Sequence, residues 1–301
     1  MQTNTITSQQ KKCLLELLDA FLEVCNKYNL TYYMAGGSCI GAVRHKGFIP
    51  WDDDIDVYML RDDFEKLLLL PDDVWSDNVQ LCSIYKTKNY RYDFPKLELK
   101  NTTVIERLYP NYVGGVFLDI FPLDAVPSNE QDRRMQLGKL NKIVGNYVKS
   151  YIKHDSDCTN IIDLLFTKIN RLFADKKFIK KWEKLVSKNP IEGDLVIDYH
   201  NYWPVGPVPY EYFKGGYEAI FEGRKVMLPA KYHNYLSHRF GDYMQLPPIE
   251  KRFAHKFDYV NYDRRISSDE ANKILKGIHK RYKYRYSLKN EIKRFIKFFI
   301  K

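Results

Sequence analysis

The 301 residues, 45% hydrophobic and 15% aromatic, are enough for a folded body with a sizeable core, as one large domain or two small ones. The formal charge of +10 sits at one end: residues 273–301 hold eleven Lys or Arg against one acid, Glu291, so the first 272 residues are balanced. A balanced body excludes the nucleic-acid polymerising enzymes, which need a basic groove. The five scattered cysteines (Cys13, Cys25, Cys39, Cys82, Cys158) include no C-x-x-C pair, which excludes a disulfide framework or structural zinc site and suits a reducing cytosol.

The apolar spacing from Cys13 to Cys25 predicts an amphipathic helix started by Thr7 or Ser8. Glu16, Asp19 and Glu23 interrupt it as they would not in a signal peptide, and no segment of the chain reaches the apolar length of a bilayer span. Thr31–Ala35 reads as a short strand that runs into Gly36-Gly37-Ser38 and then a short helix through about Arg44. A strand, a glycine turn and a helix N-terminus present backbone N–H groups to an anion, and Ser38 can cap the helix and donate to a phosphate oxygen. Arg44, His45 and Lys46 add positive charge, for which a solvated helix end is the competing reading.

Next comes a dense carboxylate cluster, Asp52-Asp53-Asp54-Ile55-Asp56-Val57. Strand alternation projects Asp52, Asp54 and Asp56 from one face. Carboxylates so crowded repel one another, and an all-oxygen group calls for a hard cation, Mg²⁺ with Mn²⁺ as its substitute. An ordinary acidic loop entering a strand is the alternative.

Downstream, a helix is predicted from Arg61 to Leu70, ended by Pro71, and strands at 79–84, 92–99, 102–107 and 115–121. In the last of these Asp119 lies among Val116, Phe117, Leu118 and Ile120, where a lone carboxylate is costly unless paired or bound to metal. Helical spacing continues over 129–152 and 160–187 around a polar loop at 153–160, and residues 189–209 read as irregular structure around a cleft. The expected organisation is a catalytic core at 1–127, a helical and irregular region at 128–272 that completes the cleft, and a basic tail at 273–301. In that tail Leu288, Ile292, Phe295, Ile296 and Phe299 fall on one helical face and lysines on the others, the pattern of an interfacial helix on an anionic membrane. Tyr32, Trp51, Tyr199, Tyr202 and Trp203 are candidates for core or cleft wall, and an aromatic box for a quaternary ammonium is physically open to them.

The run from Gly36 to Val57, Asp119 within Gly115–Asp124, Phe221-Glu222-Gly223, and Gly241–Pro248 with Arg252-Phe253-Ala254-His255 together resemble the LicD family of phosphocholine transferases. That family is related to fukutin and belongs to the nucleotidyltransferase superfamily. The resemblance spans roughly residues 28–258. It implies an α/β (α+β) fold: a nucleotidyltransferase-like mixed sheet flanked by helices, with a more helical C-terminal region. It also implies Mg²⁺-dependent transfer of phosphocholine from CDP-choline, or of a related phospho-alcohol, to a hydroxyl of a cell-surface glycan or its lipid-linked precursor. Asp54, Asp56 and Asp119 are then the catalytic carboxylates and, with Asp52, the metal ligands, Asp119 serving as ligand or base. Gly36, Gly37, Ser38, Arg44, Lys46, Arg252 and His255 are the residues for the donor phosphates. No nucleic acid is expected as partner, and the expected location is the inner face of the cell membrane. Nucleotidyl transfer to a small acceptor, glycerol- or ribitol-phosphate transfer, and a non-catalytic membrane adaptor are the rival readings.

Overall fold

The computed structural model describes residues 6–88, 90, 92–106, 112–152, 194–199, 206–252, 254 and 257–285, with residues 161, 162, 165, 168, 169, 178, 181, 182 and 185 between them. The tail helix over 288–299, the loop at 153–160, Tyr202 and Trp203 lie outside the described residues.

The N-terminal periodicity becomes α1 (Ser8–Lys27), whose buried face carries Cys13, Leu14, Leu17, Leu18, Phe21, Val24 and Cys25. Thr7 caps it, its hydroxyl accepting the Gln10 N–H at 3.1 Å. The chain continues through β1 (Tyr33–Met34), α2 (Gly36–Ile40), a π-helical turn (Gly41–His45), β2 (Asp56–Leu60), α3 (Arg61–Leu69), β3 (Val79–Cys82), β4 (Lys96–Leu99), β5 (Thr103–Glu106), β6 (Phe117–Ala125) and α4 (Glu130–Ile152). After it come β7 (Leu195–Ile197), β8 (Val208–Pro209), β9 (Tyr217–Phe221), β10 (Arg224–Leu228), α5 (Tyr232–Phe240), β11 (Phe257–Asn261) and α6 (Ser268–Arg285). No helix among the described residues is long and apolar enough to cross a membrane.

The main sheet runs β1-β2-β6-β4-β3, with β7 added to the far end of β6 and β8 to β7. Only β2 and β6 are parallel among these pairs, so the sheet is mixed and flanked by helices, an α+β arrangement. β6 is central and buried along its whole length, which its apolar run anticipates. Pro122 is tolerated there because the even-numbered residues of β6 face the β4 side: Ile120 donates to Pro95 O at 3.1 Å, β4 then ends, and β7 pairs again only at Asp124. The missing N–H falls in that gap. Asp124 is only 1% exposed and accepts both hydrogen bonds of the Arg61 guanidinium fork at 2.6 Å, locking α3 to β6.

The helical spacing predicted over 129–152 becomes α4, and strands that it did not imply follow it. β9 and β10 form a hairpin, closed by Glu222 and Gly223, both at positive φ (47° and 80°), the conformation of a two-residue primed turn. Its tip clamps the loop before the carboxylates: Glu222 N–H donates to Lys46 O at 2.8 Å, and its side chain accepts the Phe48 N–H at 3.1 Å. β11 pairs with β5, tying residues 257–261 to the first half of the chain.

Candidate active site

The parallel register of β2 and β6 sets Asp56 directly opposite Asp119. Asp54, two residues before Asp56, joins them from the segment that enters β2. One carboxylate oxygen from each of the three lies within 4.8 Å of the others. Beside them Ser38 is 3% exposed, and its hydroxyl accepts the Asp56 N–H at 3.0 Å, fixing α2 against the start of β2. Ser38 therefore does not cap α2: the capping position belongs to Ala35, which has no side chain to do so. Its hydroxyl proton is left to donate elsewhere. Gly36 N–H donates to the Tyr235 hydroxyl at 3.2 Å, bringing α5 to the turn.

Asp52 is not one of the three gathered carboxylates. A Cβ at Gly37 would stand 2.2 Å from Asp52 Oδ2, so the Asp52 side chain covers that glycine, and β2 begins only at Asp56 rather than carrying Asp52 on its face. Arg44 reaches from the π-helical turn to the carbonyl oxygens of Tyr243 and Gln245. Arg252 lies over the Trp51 ring, 4.6 Å from its centroid, and donates to Pro247 O at 2.9 Å. Burial, and then the charge of Arg252, lower the Arg44 pKa from the usual guanidinium value. Lys46 is exposed and in the left-handed backbone region. His255 lies outside the described residues. Of the aromatic candidates, Tyr32 and Tyr199 are core residues.

Three charged groups at the site, Lys96, Glu106 and Arg239, have no signal in the sequence strong enough to single them out. Lys96 on β4 pairs in register with Asp119 from the side opposite Asp56, and its ammonium stands 3.1 Å from Asp119 Oδ1 and 3.0 Å from Glu106 Oε2. Burial works against that ammonium, but Asp119 and Glu106 hold its pKa above the ordinary lysine value. Arg239 on α5 behaves alike: burial opposes its charge, while Tyr58, Tyr235, Asp198 and Asp56 raise its pKa. The one hint for Lys96 is its place beside Glu98 in an apolar strand. Lys-Leu-Glu-Leu alternates as a half-solvated strand does, yet all four residues are buried.

Burial pushes the Asp119 carboxyl up to about 7, Glu106 and Asp54 add to the rise, and Lys96 opposes it. Asp119 Oδ1 is buried and, although ion-paired with Lys96, receives no hydrogen bond of proper alignment. An under-satisfied carboxylate beside two more is a hard-oxygen donor set, and it fits Mg²⁺ or Mn²⁺. A pH dependence follows. Since the folded-state pKa of Asp119 is above its unfolded value, ionising it without metal costs stability, and that cost appears as pH rises from about 4 to about 7. A metal ion held by these carboxylates would have to displace the same proton, so Mn²⁺ affinity would fall about tenfold per unit below pH ~7. Calorimetric titrations at about pH 7.5 and about pH 5.5 should differ by more than tenfold, and equal affinities would mean that Asp119 is ionised throughout.

Comparison with known proteins adds an independent finding. Residues 29–137 match the family model described as LicD/FKTN/FKRP, nucleotidyltransferase domain. The chain is similar to the lipopolysaccharide cholinephosphotransferase LicD of Haemophilus influenzae, at 31% identity over 267 residues, covering 85% of this chain and 97% of that protein. A shorter stretch resembles uncharacterised proteins of Rickettsia typhi (35% over 66 residues, 21% of each chain) and Rickettsia prowazekii (36% over 58 residues, 19% of this chain and 22% of that one).

Proposed function

Because the chain belongs to the LicD family, and with it is a phosphotransferase, we propose that it transfers phosphocholine, or a related phospho-alcohol, from a CDP-activated donor to a hydroxyl of a cell-surface glycan or its lipid-linked precursor. The observation that carries the reading is the meeting of Asp54, Asp56 and Asp119 beside Ser38, in a chain similar over most of its length to a cholinephosphotransferase.

In this reading Asp54 and Asp56 hold the divalent ion, and Asp119 completes the set from β6. When bound, Mg²⁺ or Mn²⁺ supplies charge neutralisation of the donor diphosphate and of the departing CMP. The Gly37 N–H and the Ser38 hydroxyl position the donor phosphates, while the Gly36 N–H is already engaged by Tyr235. Arg44 and Arg252 supply positive charge for the donor phosphates. The acceptor oxygen attacks the distal phosphorus, the bond from that phosphorus to the CMP oxygen breaks, and the hydroxyl proton leaves with the carboxylates nearby as its first acceptors.

The test is product analysis. Full-length protein with Mg²⁺, a panel of CDP-alcohols and candidate glycans should release CMP and add one phospho-alcohol mass to the acceptor. Released pyrophosphate from a nucleoside triphosphate would replace this reading by nucleotidyl transfer. The basic tail is proposed to hold the enzyme at an anionic membrane. Deleting residues 287–301 should free it from anionic liposomes, and unchanged binding would remove that role.

A further inference from the structure

A buried lysine beside a cation site is at odds with charge alone, since its ammonium repels the ion that the carboxylates would bind. The register nevertheless lines up Asp56, Asp119 and Lys96 across three neighbouring strands. Lys96 is 2% exposed. Its Nζ lies 3.2 Å from the centroid of the Phe117 ring and 4.1 Å from that of Tyr92, in addition to its contacts with Asp119 and Glu106. The Tyr92 hydroxyl in turn donates to Glu106 Oε2. Two carboxylates and two ring faces thus enclose the three donors of the ammonium. With its ammonium buried and paired with Asp119, what the position of Lys96 can do is hold that carboxylate.

Resting on the function proposed above, we propose that Lys96 is a positioning residue: it grips Asp119 through Oδ1 and so fixes the carboxylate where it joins Asp54 and Asp56 as a ligand of the divalent ion. Glu106 and Tyr92 serve this grip by holding the ammonium from the other side. The cost to ion binding of one nearby positive charge is outweighed by a third ligand already in place, which is preorganisation.

The two effects of removing Lys96 have opposite signs, which makes the proposal testable by Mn²⁺ binding alone. Binding to the full-length protein, followed by electron paramagnetic resonance at a fixed pH of about 8, should weaken about tenfold in Lys96→Met, because Asp119 is released. Asp119→Asn should weaken it similarly, and the double variant should bind no worse than Asp119→Asn, since both changes remove one contribution. Mn²⁺ binding by Lys96→Met as tight as or tighter than the unaltered protein's would overturn the proposal, leaving only the lost repulsion. Additive losses in the double variant would overturn it too, by reducing Lys96 to a support of the fold. If Lys96→Met does not fold by circular dichroism, Lys96→Met with Glu106→Gln removes the acid that would be left unpaired, and the same weakening or its absence decides. Failure of the unaltered protein to bind Mn²⁺ would instead remove the metal site on which both readings stand.

Discussion

Asp56→Ala is expected to lower transfer about 10³-fold or more, about 4 kcal/mol of transition-state stabilisation, while the protein stays folded. The separation of the two effects follows from what each part of the residue does. The backbone N–H of Asp56 donates to Ser38, and its carbonyl accepts from Ala35, and both survive the substitution. The side chain, half-buried, faces the other two carboxylates and contributes charge to a crowded acidic group. Its loss relieves repulsion among the carboxylates but also removes one of the charges that support the buried Arg239, so the two effects oppose and the change in melting temperature should be small beside the loss of transfer. Transfer assays on the variant, once circular dichroism has confirmed its fold, settle the matter: undiminished turnover would place the chemistry elsewhere in the molecule.

How much of this is legible in the sequence depends on how local the information is. The glycine turn and the carboxylates of β2 lie within about two dozen residues, and turn chemistry and alternation speak at that range. Asp119 is legible for a different reason: a lone acid in an apolar run is an energetic anomaly wherever it occurs. Lys96 is not, because a lysine alternating with leucines suits an exposed strand equally well. Its meaning lies in the antiparallel pairing of β4 with β6, which opposes it to Asp119 and which no local pattern reports. The same limit applies to Ser38 of α2, whose partner is a backbone N–H on β2. The β9–β10 hairpin does carry a local signal in Glu222-Gly223, but only three of its ten strand residues are buried and they alternate weakly. Asp124 illustrates the converse. It too is an acid in the apolar run of β6, and its bidentate pairing with Arg61 makes it a fastener of α3.

Gly115→Ala is expected to cost about 3 kcal/mol or more of stability, and the reason lies where β4 ends and β6 begins. A Cβ at this position would stand 2.1 Å from Leu99 O and 3.0 Å from Leu99 C, both backbone atoms that no rotamer change can clear. To admit it the two strands must part, and three buried hydrogen bonds go with them: Gly115 N–H to Glu98 at 2.9 Å, Val116 N–H to the Thr102 hydroxyl at 2.8 Å, and Leu99 N–H to Val116 O at 2.9 Å. Glu98 suffers most, since it is wholly buried and loses a donor, keeping the Tyr112 hydroxyl at 2.8 Å. For a chain of this size each kcal/mol lowers the melting temperature by about 2–4 °C, so a fall of roughly 10 °C is expected. Gly138→Ala supplies the opposite sign in the same experiment, because that glycine is exposed in α4 with nothing within 4 Å of a new Cβ. There alanine should stabilise by up to about 1 kcal/mol. Transfer by Gly115→Ala should fall even below its melting point, since the displaced strand carries Asp119 four residues on. Melting curves indistinguishable from those of the unaltered protein would mean that β4 and β6 do not approach this closely, and with that the register that sets Lys96 against Asp119 would be lost.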